Sequence, residues 1–427
     1  MPAIEDHPLR YKLANEIHAR PFPAMSAPAT GAYLAIKQAE NASSRDREGD
    51  RRHLLDLLDR FGADHPSPGA THYFGKVGRY ALKWESHTEF VTYTVMSEGL
   101  GERPFDPVDF EAFPEDWLAK APGVRLTSAL IRIQEEPEHA KQADLIEDWF
   151  VSESLAVSDV VDGSATVASD FRIDPAGHMR FAIFTNPETG TRRIGRVVQR
   201  LCEIETYKAM SMLGLARVQA MSPRLAEIDS GLLRLSDEMS NGPRGSEATL
   251  KKLIALSSEL ENMNAKASYR FAATRAYEAI VSNRIEVLRE ERFNGRQTFS
   301  EFMMRRFDPA MRTVRATQQR MREMSERALR VGDLLRTSVD VERQAQNQML
   351  LESMDKRADL QLRLQKTVEG LSVVAISYYA VNLVVYALGP AAEPAGISNV
   401  LLFGIATPFT VLLVWWLVQR IRRSVDT

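Results

Sequence analysis

A chain of 427 residues has room for two or three structural units. With 44% hydrophobic and 26% charged residues and a formal net charge of −3, it has no global basic field to argue for nucleic acid; its one cysteine, Cys202, excludes an internal disulfide framework and suits a reducing compartment. The N-terminal stretch MPAIEDHPLRYKLANEIHARPFP lacks the apolar core of a signal peptide, so roughly the first 360 residues are expected in the cytoplasm.

Residues 8–20 read as a short helix, followed by a Pro-rich link, ARPFPAMSAPAT. GAYLAIKQA reads as a strand. SSRDREGDRRHLLDLLDRFG reads as a capped amphipathic helix with Leu54, Leu55, Leu57, Leu58 and Phe61 on its apolar side. THYFGKVGRYALKWES and TEFVTYTVM alternate and are β-rich, with a break at Gly-Lys-Val-Gly. GVRLTSALIRIQ and SLAVSDVVDGSATVASDFRID supply further strands, the second folded into a hairpin through Asp162-Gly163. HMRFAIFTN closes the β region.

After about residue 190 strand signals give way to helices, predicted over 192–219, 222–239 and 246–293. A last helix starts near Thr298 and runs to Leu388, with Asp308-Pro309 and Gly332 as its plausible interruptions. Met321, Ala328, Leu335 and Met349 fall on one apolar track. Leu350, Met354, Leu364, Val368 and Leu371 fall on another, interrupted by Arg357 and Gln361. Arg305, Arg306, Arg312, Arg315, Arg320, Arg322, Arg327 and Arg330 alternate with acids, which suits a solvated, ion-paired face better than a nucleic-acid patch.

Residues 371–388 and 397–418 carry no charge, and each approaches the ~20 residues that cross a bilayer core. Lys356, Arg357, Arg363 and Lys366 precede the first span; Arg420, Arg422 and Arg423 follow the second. The loop between holds only Glu393 as a charge, so both termini are expected in the cytoplasm. On a helical net Gln365, Glu369, Ser372, Tyr379 and Tyr386 form one face, with Ile376 and Leu383 between them. In a ring of copies this stripe would line a watery axis, Glu369 would concentrate cations at the inner mouth and Ile376 would constrict the path. The alternative is a Glu369 that snorkels or pairs with Lys366, and hydroxyls that only glue helices together.

In LKWESHTEF, read as a strand, Lys83, Glu85, His87 and Glu89 share a face. His87 and Glu89 could hold a metal, joined by His18 or His72; a solvent face or ion pairs are the alternative. A divalent cation is the one cofactor the sequence brings into view. DFRID places Asp170, Arg172 and Asp174 on one face, as an internal salt bridge or an acidic cation-sensing site. Glu203, Glu205 and Lys208 read as helix ion pairs, and Cys202 as a buried small residue. G-x-G-x-x-G, Walker A, C-x-x-C and H-E-x-x-H are all missing, so the chain is not read as an enzyme.

An α+β cytoplasmic domain (1–190), a helical stalk or bundle (191–366) and a transmembrane hairpin (367–423, spans about 368–388 and 397–418) resemble, in that order, the CorA-type divalent-cation channel superfamily over roughly residues 190–423. NEIHARPF, LKWESHTEF, DFRID, VQRLCEIETY and TVEGLSVVAISYY also resemble a bacterial family of membrane-anchored proteins of unknown function, across nearly the whole chain. The CorA likeness implies a homo-oligomer, a pentamer, with the first span lining the axis. Those channels carry Gly-Met-Asn at the outer mouth; here YALGPAAEP keeps only Gly389, and Asn382 lies about two turns inward, so magnesium selectivity is not implied. The expected protein is thus a bacterial inner-membrane oligomer that moves a cation, with lipid and its own copies as partners and no nucleic acid. Its rivals are a membrane-anchored scaffold or regulator and, third, a metal-dependent enzyme using His18, His72, His87 and Glu89.

Overall fold

The architecture comes from a computed structural model that describes residues 4–11, 13–14, 23–39, 45–241, 247–392 and 398–425. The chain divides into two compact units. One comprises Met1–Asp237 with Lys251–Val331, the other Glu238–Leu250 with Gly332–Thr427. The division expected at residue 190 does not separate compact bodies, because the helices that follow share the core of the sheet.

In the first unit the elements run β1 (Ala29–Lys37), α1 (Arg47–Arg60), β2 (His72–Val77), β3 (Tyr80–Ser86), β4 (Phe90–Glu98), α2 (Glu115–Leu118), β5 (Val124–Glu135), α3 (His139–Trp149), β6 (Ala156–Val160), β7 (Ala165–Ser169) and β8 (Met179–Thr185). Then come α4 (Thr191–Asn241), α5 (Glu247–Glu286), β9 (Glu291–Arg292) and α6 (Phe299–Ala392). The nine strands form one sheet in the order β2-β3-β4-β1-β5-β8-β7-β6-β9. Every pairing is antiparallel except β5 with β8.

Both faces of the sheet are covered, so its central strands are apolar for most of their length; all nine residues of β1 are buried. Alternation sorts them. Tyr33, Ile131 and Ile183 join Val197 and Leu201 of α4, Val281 of α5 and Phe299 of α6 in one core. Leu34, Leu130 and Phe184 join Leu54 and Leu57 of α1, Trp117 of α2 and Trp149 of α3 in the other. Helix α1 starts where the Asp46 side chain accepts from the Glu48 amide at 3.0 Å, with acids in its first turn and Arg60 in its last. The β6–β7 connection turns through Val161, Asp162 and Gly163, all at positive φ.

The long helices depart from the sequence reading in three places. Helix α4 passes through Pro223 unbroken, because Val218, Met221, Leu225 and Ile228 are buried on either side and outweigh the local cost. Helix α5 ends at Glu286, and the next residues supply β9, which pairs with β6. Helix α6 crosses Asp308-Pro309 and Gly332 without a break, held by buried Phe307, Met311 and Val331. Its start is a capping box: Glu301 N–H donates to Thr298 Oγ1 and Thr298 N–H to Glu301 Oε2, each at 3.2 Å. The half-buried Glu290 carboxylate accepts from the Phe299 and Ser300 amides at 3.0 and 2.9 Å, satisfying two further donors of that first turn.

Within this unit α4, α5 and the first part of α6 pack side by side. The approach of α4 to α5 is close: a Cβ on Gly214 would lie 2.3 Å from Thr274 Oγ1. Exposed ion pairs stitch the rim, including Arg224–Glu259 at 2.6 Å and Asp229 with Arg320 and Arg327 at 2.6 and 2.8 Å.

The second unit holds the rest of α6 and α7 (Asn399–Val425). From residue 343 to 368 every position of α6 is exposed. Two helices, α6 through its C-terminal part and α7, are long and apolar enough to cross a membrane. Along the two apolar segments the buried positions are Ser377, Val381 and Val385 on α6 and Thr410 and Val414 on α7, a four-residue repeat on each. That spacing marks one face of each helix as their shared seam.

Candidate functional site

The polar stripe of the first span lies off this seam. Ile376, Tyr379, Leu383 and Tyr386 are exposed, as are Gln365 and Ser372, and Glu369 is half-buried. Gln365 Nε2 donates to Glu369 Oε1 at 3.3 Å, so the carboxylate has a partner one turn back on its own helix and no ion pair with Lys366 among the described residues. Ser372 Oγ donates to the Val368 carbonyl at 2.8 Å and Asn382 Nδ2 to the Tyr378 carbonyl at 2.8 Å. These local bonds satisfy both groups without a second helix. Tyr379 has no such carbonyl among the described bonds; its hydroxyl stands near the middle of the apolar segment, off the seam. Gly389 sits in the last turns of α6 with open space around it, and Glu393 lies outside the described residues.

The expected metal group does not assemble. LKWESHTEF is not one strand: β3 ends at Ser86, β4 begins at Phe90, and the His87 amide closes the turn on the Phe90 carbonyl at 2.9 Å. Glu89 therefore leaves the β3 face that carries Lys83 and Glu85, while His87 lines the same cavity as those two residues. The His87 ring stacks on Phe90 with centroids 4.4 Å apart, and its Nε2 lies 3.4 Å from Thr92 Oγ1. Glu89, 1% exposed, accepts from Tyr277 Oη at 3.0 Å and from Arg270 Nη2. His72 stands in register with Glu85 on β2, and His18 lies outside the described residues. Among the described residues no three His, Cys, Asp or Glu are placed to hold a metal ion. In DFRID, Asp170 is fully buried and pairs with Arg180 at 2.7 Å, while Arg172 donates to Ser154 Oγ at 2.7 Å. The internal salt bridge is real, but its cation comes from β8.

What the sequence did not bring together is a closed polar cluster between the sheet and α4. Lys83 Nζ lies 3.0 Å from Glu85 Oε2 and donates to Gln199 Oε1 at 3.1 Å. Gln199 Nε2 donates to Glu203 Oε1 at 2.7 Å, and Glu203 in turn takes Arg284 of α5. Beside it, Tyr33 Oη and Thr206 Oγ1 stand 2.5 Å apart. The cavity these groups line is about 30 Å³, room for a water or two and for no substrate. Burial, then the Glu203 charge, pushes the Cys202 thiol far above its ordinary range, so it stays protonated and is not a nucleophile. The one signal in the sequence was Gln199, Glu203 and Thr206 at spacings of four and three along the helix. Lys208 pairs with Glu205 at 2.5 Å, as the helix spacing suggested, and Glu203 does not join them.

No curated protein and no solved structure matches the chain, so the expected resemblance to CorA-type channels finds no support in these comparisons. The family model described as a protein of unknown function (DUF3422) matches residues 5–425, and the chain belongs to that family.

Proposed function

We propose that this is a membrane-anchored protein that assembles with copies of itself through the α6 helix. The observation that carries the reading is the solitary stretch between residues 343 and 368. Leu350, Met354, Leu364 and Val368, with Leu371 beyond, form a heptad-spaced stripe, each more than half exposed. A lone water-exposed helix gains too little from propensity to hold itself. Covering those five side chains offers about 10 kcal/mol per chain, at roughly 2 kcal/mol each. Association in solution costs an amount of the same order, about 4–15 kcal/mol. Chains already confined to one bilayer lose less freedom on meeting, which tips the balance toward assembly.

In a parallel assembly, stripe residues meet their own counterparts. With Cys202→Ala as background, Met354→Cys in native membranes is expected to cross-link to covalent dimers with a short bismaleimide, whereas Asp359→Cys, on the opposite side of the helix, is not. Equal yields at the two positions, or none at Met354→Cys, would refute the reading.

A second reading makes the same assembly a cation path, and it rests on the stripe from Gln365 to Tyr386 lying off the seam. A tyrosine hydroxyl left in hydrocarbon without a partner costs a few kcal/mol. Copies that turn this face inward remove that cost and give Glu369 water at the mouth. Cation flux in proteoliposomes that falls in Glu369→Gln supports the path; cross-linked oligomers without flux leave the tether alone.

A further inference from the structure

Two elements of the first unit bring arginines to one groove. Arg193, Arg196 and Arg200 occupy successive turns of α4 on one face, and Arg289 comes from the turn after α5. Val161, from the β6–β7 connection, and Asn283, Glu286 and Val287 complete the wall. The groove holds about 620 Å³, within the usual range of small-molecule sites.

The charges in it are poorly balanced. Arg289 pairs with Asp162 at 2.6 Å. Arg193 Nη1 donates to Ser164 Oγ at 2.8 Å and Arg200 Nη1 to the Val287 carbonyl at 2.9 Å, so neither is neutralised there. Arg196 makes no hydrogen bond or ion pair among the described residues, and Glu286 is the one carboxylate on the wall. Burial, then the charges of Arg196 and Arg284, lowers the Arg200 pKa. No acid occupies the first turn of α4, where the helix dipole disfavours cations. The rim is also backbone-strained. Val161 and Arg289 both hold positive φ, at 54° and 49°, an unusual state for a β-branched residue. The Val161 amide bonds the Leu288 carbonyl at 2.7 Å and so ties the two turns together. Strain and like charge accumulate where a ligand repays both.

We propose that this groove binds a ligand carrying two or more phosphoryl groups. Guanidinium forks match phosphate oxygens in pairs, and Arg193 to Arg200 spans about 10 Å along the helix, enough for more than one phosphoryl group. The shared chemistry fits a free polyphosphate or nucleotide and equally a phosphorylated lipid headgroup.

The test uses the full chain in detergent and titrates tripolyphosphate calorimetrically at 0.15 M salt. Saturable binding is expected, weakened at least tenfold by Arg196→Gln and less by Arg196→Lys, which keeps charge and loses the fork. Arg234→Gln, at an exposed arginine farther along α4, is expected to leave it unchanged. Without ligand, Arg196→Gln should melt at the same temperature as the parent or higher, since it removes repulsion and no bond; a lower melting point would mean Arg196 is structural. Displacement of tripolyphosphate by a short-chain phosphatidylinositol bisphosphate at lower concentration than by ATP assigns the lipid source, and the reverse order assigns the soluble one. Absence of binding, or equal loss in Arg196→Gln and Arg234→Gln, overturns the proposal.

Discussion

Removing the Glu89 carboxylate tests whether that residue is a latch or a ligand. Its side chain is buried against Arg270, itself only 17% exposed, and against Tyr277. Lys37 lies in the same cluster: burial and the Arg270 charge lower its pKa, and Glu89 works against both. Glu89→Ala therefore leaves two cations facing each other out of water, together with an unpaired phenol. Breaking a buried pair by deleting one partner costs about 3–5 kcal/mol. A change of that size lowers the melting temperature of a large domain by on the order of 10 °C, at about 2–4 °C per kcal/mol. Glu89→Gln keeps an acceptor for Tyr277 or Arg270 and is expected to lose about half as much. Thermal melts of the purified chain, with and without chelator, read both variants. A drop under about 2 °C in Glu89→Ala would refute the latch. So would a parent protein that chelator destabilises when the variant is indifferent to it, which is the behaviour of a metal ligand.

Two other substitutions probe the packing that supports the sites. His53 is buried, stacked on Trp117 at 3.9 Å, with Nε2 3.0 Å from the Trp117 carbonyl, and burial lowers its pKa. The unfolded chain therefore takes up a proton below its ordinary value of about 6.5 where the folded chain resists, and stability falls as pH drops through that point. The stability advantage of the parent over His53→Gln should shrink by up to about 1.4 kcal/mol between pH 6.5 and 5.5, the value of one pH unit; a constant or growing advantage in parallel denaturation curves would contradict it. Gly214→Ala puts a methyl 2.3 Å from Thr274 Oγ1 and 3.0 Å from its Cβ. The helices must part, at about 1–3 kcal/mol, and Thr274→Ala in the same chain should recover most of that in a double-mutant cycle. No recovery would mean that the two helices are not in contact there.

Strands β1 to β8 were legible because most are short apolar runs bounded by turn residues, and Asp162-Gly163 did mark the β6–β7 hairpin, whereas the two charged residues of β9 carry no such signal. Their order in the sheet was not legible. The parallel β5–β8 pairing brings together residues some fifty apart, and nothing local encodes that neighbour. Local breakers misled in the helices. Pro223 and Pro309 are read as stops when only propensity is weighed, yet the core contacts of Met221, Leu225, Phe307 and Met311 carry the helix across each. The α2 and α3 segments were missed for the opposite reason: four and eleven residues give a periodic signal too little length.

Sites fared differently from folds because their chemistry depends on which distant residues meet. A strand through His87 and Glu89 was a fair reading of alternation, but the chain turns there, and the carboxylate finds its cation and its phenol on α5, about 180 residues away. The arginine groove hid in the same manner. Along the sequence Arg193, Arg196 and Arg200 look like an ordinary solvated helix face, and Arg289 sits beside Glu290 and Glu291, so any running charge average is flat. Only the pairing of β9 with β6 and the turn at Val161 bring the fourth guanidinium across, while Glu290 is drawn inward to the start of α6. The fold separates charges that the sequence interleaves, and that separation leaves a cationic surface on a chain whose formal net charge is −3.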